Sequence, residues 1–94
     1  MLEVTTAVFP KIEAVTPMPD KKLLVRFVGG VEKTYNCRSL LRKEPFSVLQ
    51  EESFFRQVKV DAGGYGVSWN DRVDLSESEL WIHGKWKDET AVKI

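Results

Sequence analysis

Lys22-Leu23-Leu24-Val25-Arg26-Phe27-Val28-Gly29-Gly30-Val31-Glu32-Lys33-Thr34-Tyr35-Asn36-Cys37 is the stretch that decides the fold. Residues 22–28 alternate: Leu23, Val25 and Phe27 point one way, and Leu24, Arg26 and Val28 point the other. Gly29-Gly30 then separates two extended runs. Glycine accepts the positive φ of a two-residue hairpin turn, so the chain reverses here. Residues 31–37 return with Val31, Lys33, Tyr35 and Cys37 on one face, and Tyr35 and Cys37 are expected in the core.

Working outward, residues 12–16 read as a short strand, and Pro17-Met18-Pro19-Asp20 as the turn that follows it. Residues 38–45 read as a short helical turn with Leu40 and Leu41 buried, stopped by Pro45. A brief helix is expected to start near Glu51 and to dock Phe54 or Phe55 on the sheet. Residues 57–61 alternate again, with Val58 and Val60 inward. Gly63-Gly64-Tyr65-Gly66 makes the next turn, and Tyr65, Val67 and Trp69 are expected to share the inner face of a fifth strand.

Ser76 and Glu79 match the S-x-x-E capping box, with Leu75 and Leu80 spaced as a hydrophobic staple and Gly84 as the stop. The predicted class is α+β: a small antiparallel sheet of about five strands with one or two short helices on one face. Nothing supplies the long crossovers of a parallel sheet. The 94 residues fit one domain, with a family-like core over residues 10–84. Residues 1–9 form an N-terminal arm, readable as an edge strand, a swapped arm or a frayed end. Residues 85–94 form a tail, readable as another strand or a flexible end.

Hydrophobic residues make up 43% of the chain and aromatics 11%, which excludes a wholly disordered chain. Fourteen basic residues balance fourteen acidic ones, which argues against a general nucleic-acid coat or an anionic-membrane binder. The balance hides an asymmetry. Residues 1–47 carry eight basic side chains against five acidic, and the remainder reverses that excess. Such a division suits a charged partner or head-to-tail homo-oligomers. A single cysteine, no basic leader before Lys11 and no long apolar run point to the cytoplasm, without a disulfide or a membrane.

Chemistry is thin in this sequence. Any Ser–His or Cys–His pair would have to use His83, the one histidine, and Cys37 lies on an inward strand face. Asp71, Asp74, Glu77 and Glu79 gather before and within the last helix, one turn from His83, but too few nitrogen or sulfur ligands accompany them for zinc. Gly63-Gly64-Tyr65-Gly66 lacks the lysine of a phosphate loop. No enzyme, metal or cofactor is expected.

The basic residues Lys21, Lys22, Arg26, Lys33, Arg38, Arg42 and Lys43 offer a nucleic-acid surface, with Arg26, Lys33 and Arg38 as its candidates. The rings that would stack on bases fall instead on the core face, so nucleic acid is the less favoured partner. Trp81 and Trp86 fall where little core remains, as closure of the sheet's open end or as interface anchors. With His83 they are the protein-interface candidates.

The ordered residues also resemble a family. Residues 23–31 resemble the "rL-v-F-dG" hairpin of short bacterial proteins called domain of unknown function 2442, and Tyr35-Asn36-Cys37-Arg38-Ser39-Leu40-Leu41 its "y-d-l-s-p-l-l" segment. Pro45-Phe46, Leu49 and residues 54–58 are similar to its "p-f-x-x-L … F-x-x-v" stretch. Residues 67–70, residues 73–76 and Leu80 are similar to its "i-x-W-p-n-g-x-D-l-x-p-d-x-L" ending. Two departures stand out: Gly29 replaces the usual Asp, and Trp69-Asn70-Asp71-Arg72 lacks the proline and glycine. The resemblance implies no catalytic residues. It implies, by association, an antitoxin-like or regulatory role beside a small toxin-like protein. Longer relatives add a helix-turn-helix domain that this chain is expected to lack.

Overall fold

The computed structural model describes residues 9–86. All but the last residue of the expected N-terminal arm, and all but the first two residues of the tail, therefore lie outside the described residues. The α+β antiparallel class stands, and the strands divide between two sheets. The first sheet comprises β1 (Ile12–Met18), β2 (Lys22–Phe27), β3 (Glu32–Asn36) and β7 (Lys85–Trp86), in the order β1-β2-β3-β7. The second comprises β4 (Lys59–Val60), β5 (Gly66–Ser68) and β6 (Asp74–Ser76). Two short helices, α1 (Glu52–Phe55) and α2 (Glu77–His83), complete the framework with several 3-10 turns.

The β2–β3 hairpin forms in the expected register, from Lys22 opposite Asn36 to Arg26 opposite Glu32. Gly29 and Gly30 adopt φ values of 102° and 97°, a region that strains any residue with a Cβ. Leu23, Val25 and Phe27 are fully buried on one face, and Tyr35 of β3 and Cys37 just after it join them. Between β1 and β2 the turn tightens into Pro19–Lys21, where Asp20 takes φ 66°. β1 accordingly runs two residues further than the prolines suggest, and Pro17 sits opposite Leu23.

Two expectations about side-chain placement fail. Tyr65 is 60% exposed and does not share the face of Val67 and Trp69. Its backbone is still helical, at φ −82° and ψ −4°, so the strand alternation starts only at Gly66. Leu40 and Leu41 are half-buried at the rim of the core, because Arg38–Leu40 is a single 3-10 turn with no second turn to drive them inward. α1 is only four residues long and docks through Phe55, whose ring lies 6.1 Å from that of Trp69. The Trp69 Nε1–H donates to the Phe55 carbonyl over 2.8 Å, which satisfies a buried donor.

α2 binds the two sheets together, touching β3 on one side and β5 and β6 on the other. Its start is half of the expected capping box. Ser76 Oγ accepts the Glu79 N–H over 3.1 Å. The Glu79 carboxylate turns away from the cap to accept the Tyr35 hydroxyl over 2.7 Å. Leu75 and Leu80 are both buried in the core, as the staple requires. Gly84 ends the helix at φ −76°, so its role is space rather than a left-handed turn. A Cβ there would strike the Leu80 carbonyl oxygen and crowd the Cβ of Lys33.

Two expected outcomes follow from this packing. Phe27 is completely buried and Val28, its neighbour, is 59% exposed. Urea unfolding should show Phe27→Ala losing about 3–5 kcal/mol and Val28→Ala within about 0.5 kcal/mol of the parent; equal losses would contradict the assigned faces. The second outcome concerns pH. Burial pushes the Cys37 thiol from its ordinary 9.0 up to about 12. Burial and then the Glu79 carboxylate raise the Tyr35 phenol.

Above pH 9.0 the unfolded chain therefore releases a Cys37 proton that the folded chain keeps, and stability falls until pH about 12. Lys33, lowered by burial, acts with the opposite sign up to its ordinary 10.5. Comparison with Cys37→Ala isolates the thiol. Denaturant melts from pH 9.0 upward should show the parent declining more steeply than Cys37→Ala, by up to ~1.4 kcal/mol per pH unit. Parallel declines would contradict the burial of a protonated thiol.

Candidate binding surface

The distinctive chemistry lies where α2, β3 and β7 meet. The period of β3 places Lys33 on the core face, between Val31 and Tyr35, and only 6% of the residue remains exposed. A buried ammonium must find compensation. Lys33 Nζ donates to the carbonyl of Trp81 in the last turn of α2, where unpaired carbonyls concentrate negative potential. The same ammonium stands 4.0 Å from the Trp81 ring centre and 4.7 Å from that of Trp86, within cation–π range of both. Burial lowers the lysine pKa; the carbonyl and the two ring faces favour the charged form and work against that shift.

The indoles are themselves arranged edge to face. Trp81 lies 5.9 Å from Trp86 at 73°, and 5.0 Å from Phe27 of the core at 89°. Trp81 is thus half-buried and part of the packing, whereas Trp86 is 52% exposed. Ile82, on the helix beside them, is 58% exposed. The two readings that sequence left open for the tryptophans are therefore divided between them: Trp81 closes the core, and Trp86 shows much of its ring to solvent.

His83 faces a different feature. A half-open polar groove of about 400 Å³ runs between the end of β3, the segment after it, and α2. Its walls carry Lys22, Lys43, Lys85 and His83, with the Ser39 and Thr34 hydroxyls among them. The Tyr35–Glu79 hydrogen bond also lines it, and Glu79 Oε1 stands 3.9 Å from His83 Nε2. Among the described residues β7 pairs with β3 at Lys33 and Thr34, and because α2 ends just before β7, the groove opens beside Tyr35 and Asn36 at the end of β3. Among the described residues, Lys22, Lys43 and Lys85 make no ion pair.

The nucleic-acid candidates do not assemble. Arg26 projects from the opposite face of the first sheet, where its Nη2 meets Glu32 Oε2 at 3.0 Å. Lys33 is committed to the two indoles and the helix end, so it presents no ammonium to a phosphate. Arg38 is exposed, with its backbone N–H on the Asn36 side chain, and is not among the groove residues. Of the groove cations, Lys22 and Lys43 belong to the basic first half of the sequence. Lys85 carried no signal of its own, because only the β3–β7 pairing brings it beside them.

Cys37 is sealed in the core with its thiol held protonated, so it offers no thiolate. Among the described residues, no group of three His, Cys, Asp or Glu side chains is placed to hold a metal ion, and no helix is long and apolar enough to cross a membrane.

Comparison with known proteins agrees with this architecture. A crystal structure from Nitrosomonas europaea, of a protein provisionally described as DNA-binding, superposes with a TM-score of 0.72 at 21% identity. The superposition covers 97% of this chain and 57% of that one, and it shows the fold alone. This chain therefore spans little more than half the length of that protein. No curated protein matches. The family model described as protein of unknown function (DUF2442) matches residues 12–85, from the first strand to the start of the last, and the chain belongs to that family.

Proposed function

We propose that this chain is a non-enzymatic recognition module that binds a protein partner through the end of the molecule where α2 meets β7. The observation that carries this reading is the presentation of Trp86. Its ring is half exposed yet held by Trp81 on one side and the Lys33 ammonium on another. A large aromatic side chain that is already ordered loses little freedom on binding, the usual property of an interface anchor. Exposed Ile82 extends the apolar area. The partner in this reading is a small toxin-like protein, as the sequence resemblance implies by association, with an antitoxin-like or regulatory role for this chain.

A second reading is nucleic-acid binding. Lys22, Lys43 and Lys85 on one groove, and the DNA-binding description of the similar Nitrosomonas europaea protein, support it. Salt separates the two readings. Duplex DNA bound through these lysines must lose affinity steeply as salt rises, whereas an apolar anchor is little affected.

The test uses tagged protein as bait in extracts of its bacterial host, followed by direct titration of whatever stoichiometric protein is recovered. Trp86→Ala should keep its fold by circular dichroism and weaken that complex about 30-fold or more. Recovery of no stoichiometric partner, or equal affinity for Trp86→Ala, would overturn the protein-binding reading.

A further inference from the structure

The groove between β3 and α2 has a composition that the partner surface does not explain. Three ammonium groups line it against one carboxylate. That carboxylate, Glu79, is already engaged by the Tyr35 hydroxyl and faces His83. Lys22, Lys43 and Lys85 are all exposed and set one sign of charge around a concave surface, which attracts an anion.

The donor types narrow the class of anion. Every cation of the groove other than His83 is a lysine. Lysine carries a compact charge with three donors that rotate freely. Arginine carries the planar fork that matches a carboxylate edge on. Rotatable ammonium groups approaching from several sides suit a tetrahedral acceptor. The Ser39 and Thr34 hydroxyls add neutral donors, as phosphate sites commonly do. The three lysines come from β2, from the segment after β3, and from β7, so the fold rather than a single sequence motif brings them together.

We propose that this groove binds a phosphate group, held by Lys22, Lys43 and Lys85 with Ser39 and Thr34. At about 400 Å³ the space matches a small phosphorylated molecule of mononucleotide size. Leu40, half-buried on the groove wall, provides an apolar surface for the rest of such a ligand. The proposal is independent of the Trp86 surface, and either can fail without the other.

Titration of the full chain, followed by backbone amide NMR, tests it with two probes: inorganic phosphate and a nucleoside monophosphate. Saturable shifts should centre on Thr34, Ser39, Lys43 and Lys85. The nucleotide should bind more tightly if Leu40 and its surroundings take the organic part; equal affinity assigns the site to free phosphate alone. Both exposed-lysine variants, Lys43→Ala and Lys85→Ala, should weaken binding about tenfold. Lys59→Ala, on an exposed strand of the other sheet, should leave it unchanged. Absence of saturable shifts with either probe overturns the proposal. So does equal weakening by Lys59→Ala, which would indicate general attraction rather than a site.

Discussion

The Lys33 ammonium organises the end of the molecule where β3, α2 and β7 meet. It lies on the core face of β3, under two indoles and against the last carbonyls of α2. β3 and the α2–β7 segment, about fifty residues apart in sequence, therefore converge on one charge. A buried lysine is costly without partners, and here the partners all come from the short α2–β7 segment, at Trp81 and Trp86. Trp81 brings the helix, Trp86 brings β7, and the lysine stem fills the space that Gly84 leaves open. The half-exposed ring of Trp86 lies at this junction, and the groove lies beside it at the end of β3.

Much of the fold could be read from local chemistry. The β2–β3 hairpin was legible because alternation and a positive-φ turn coincide over residues 22–37, and each constrains the other. The start of α2 was legible because a serine and a hydrophobic staple act within a few residues. The misreadings arise where a local pattern meets a competing one. Tyr65 continues the parity of Val67 and Trp69 but still belongs to the turn, and parity has no meaning before the strand begins. β6 is only three residues long and is embedded in the capping signal, while β7 has two residues among the described ones. Ladders that short leave too few residues for a period to show.

The candidate site was less legible, for a different reason. Lys33 reads as one of many surface lysines, because nothing local says that its inward parity will be kept by a pair of tryptophans about fifty residues away. Lys85 gains its place beside Lys22 and Lys43 only through strand pairing. The departures from the family pattern are, by contrast, locally compensated. Gly29 takes a positive φ where the family has Asp. The turn after Trp69 needs no glycine, because the Asn70 side chain accepts the Arg72 and Val73 N–H groups over 2.8 and 2.9 Å.

The central claim is that the charge on Lys33, and not merely the bulk of its stem, fastens β7 and the end of α2 to the first sheet. Lys33→Met keeps an apolar stem and removes the charge. Because replacing a buried charge by a hydrophobic group can leave global stability unchanged, the decisive readout is local. Amide hydrogen exchange of Gly84, Lys85 and Trp86 should quicken in Lys33→Met while Leu23, Val25 and Phe27 keep their protection. Unchanged protection of Gly84, Lys85 and Trp86 would contradict the account.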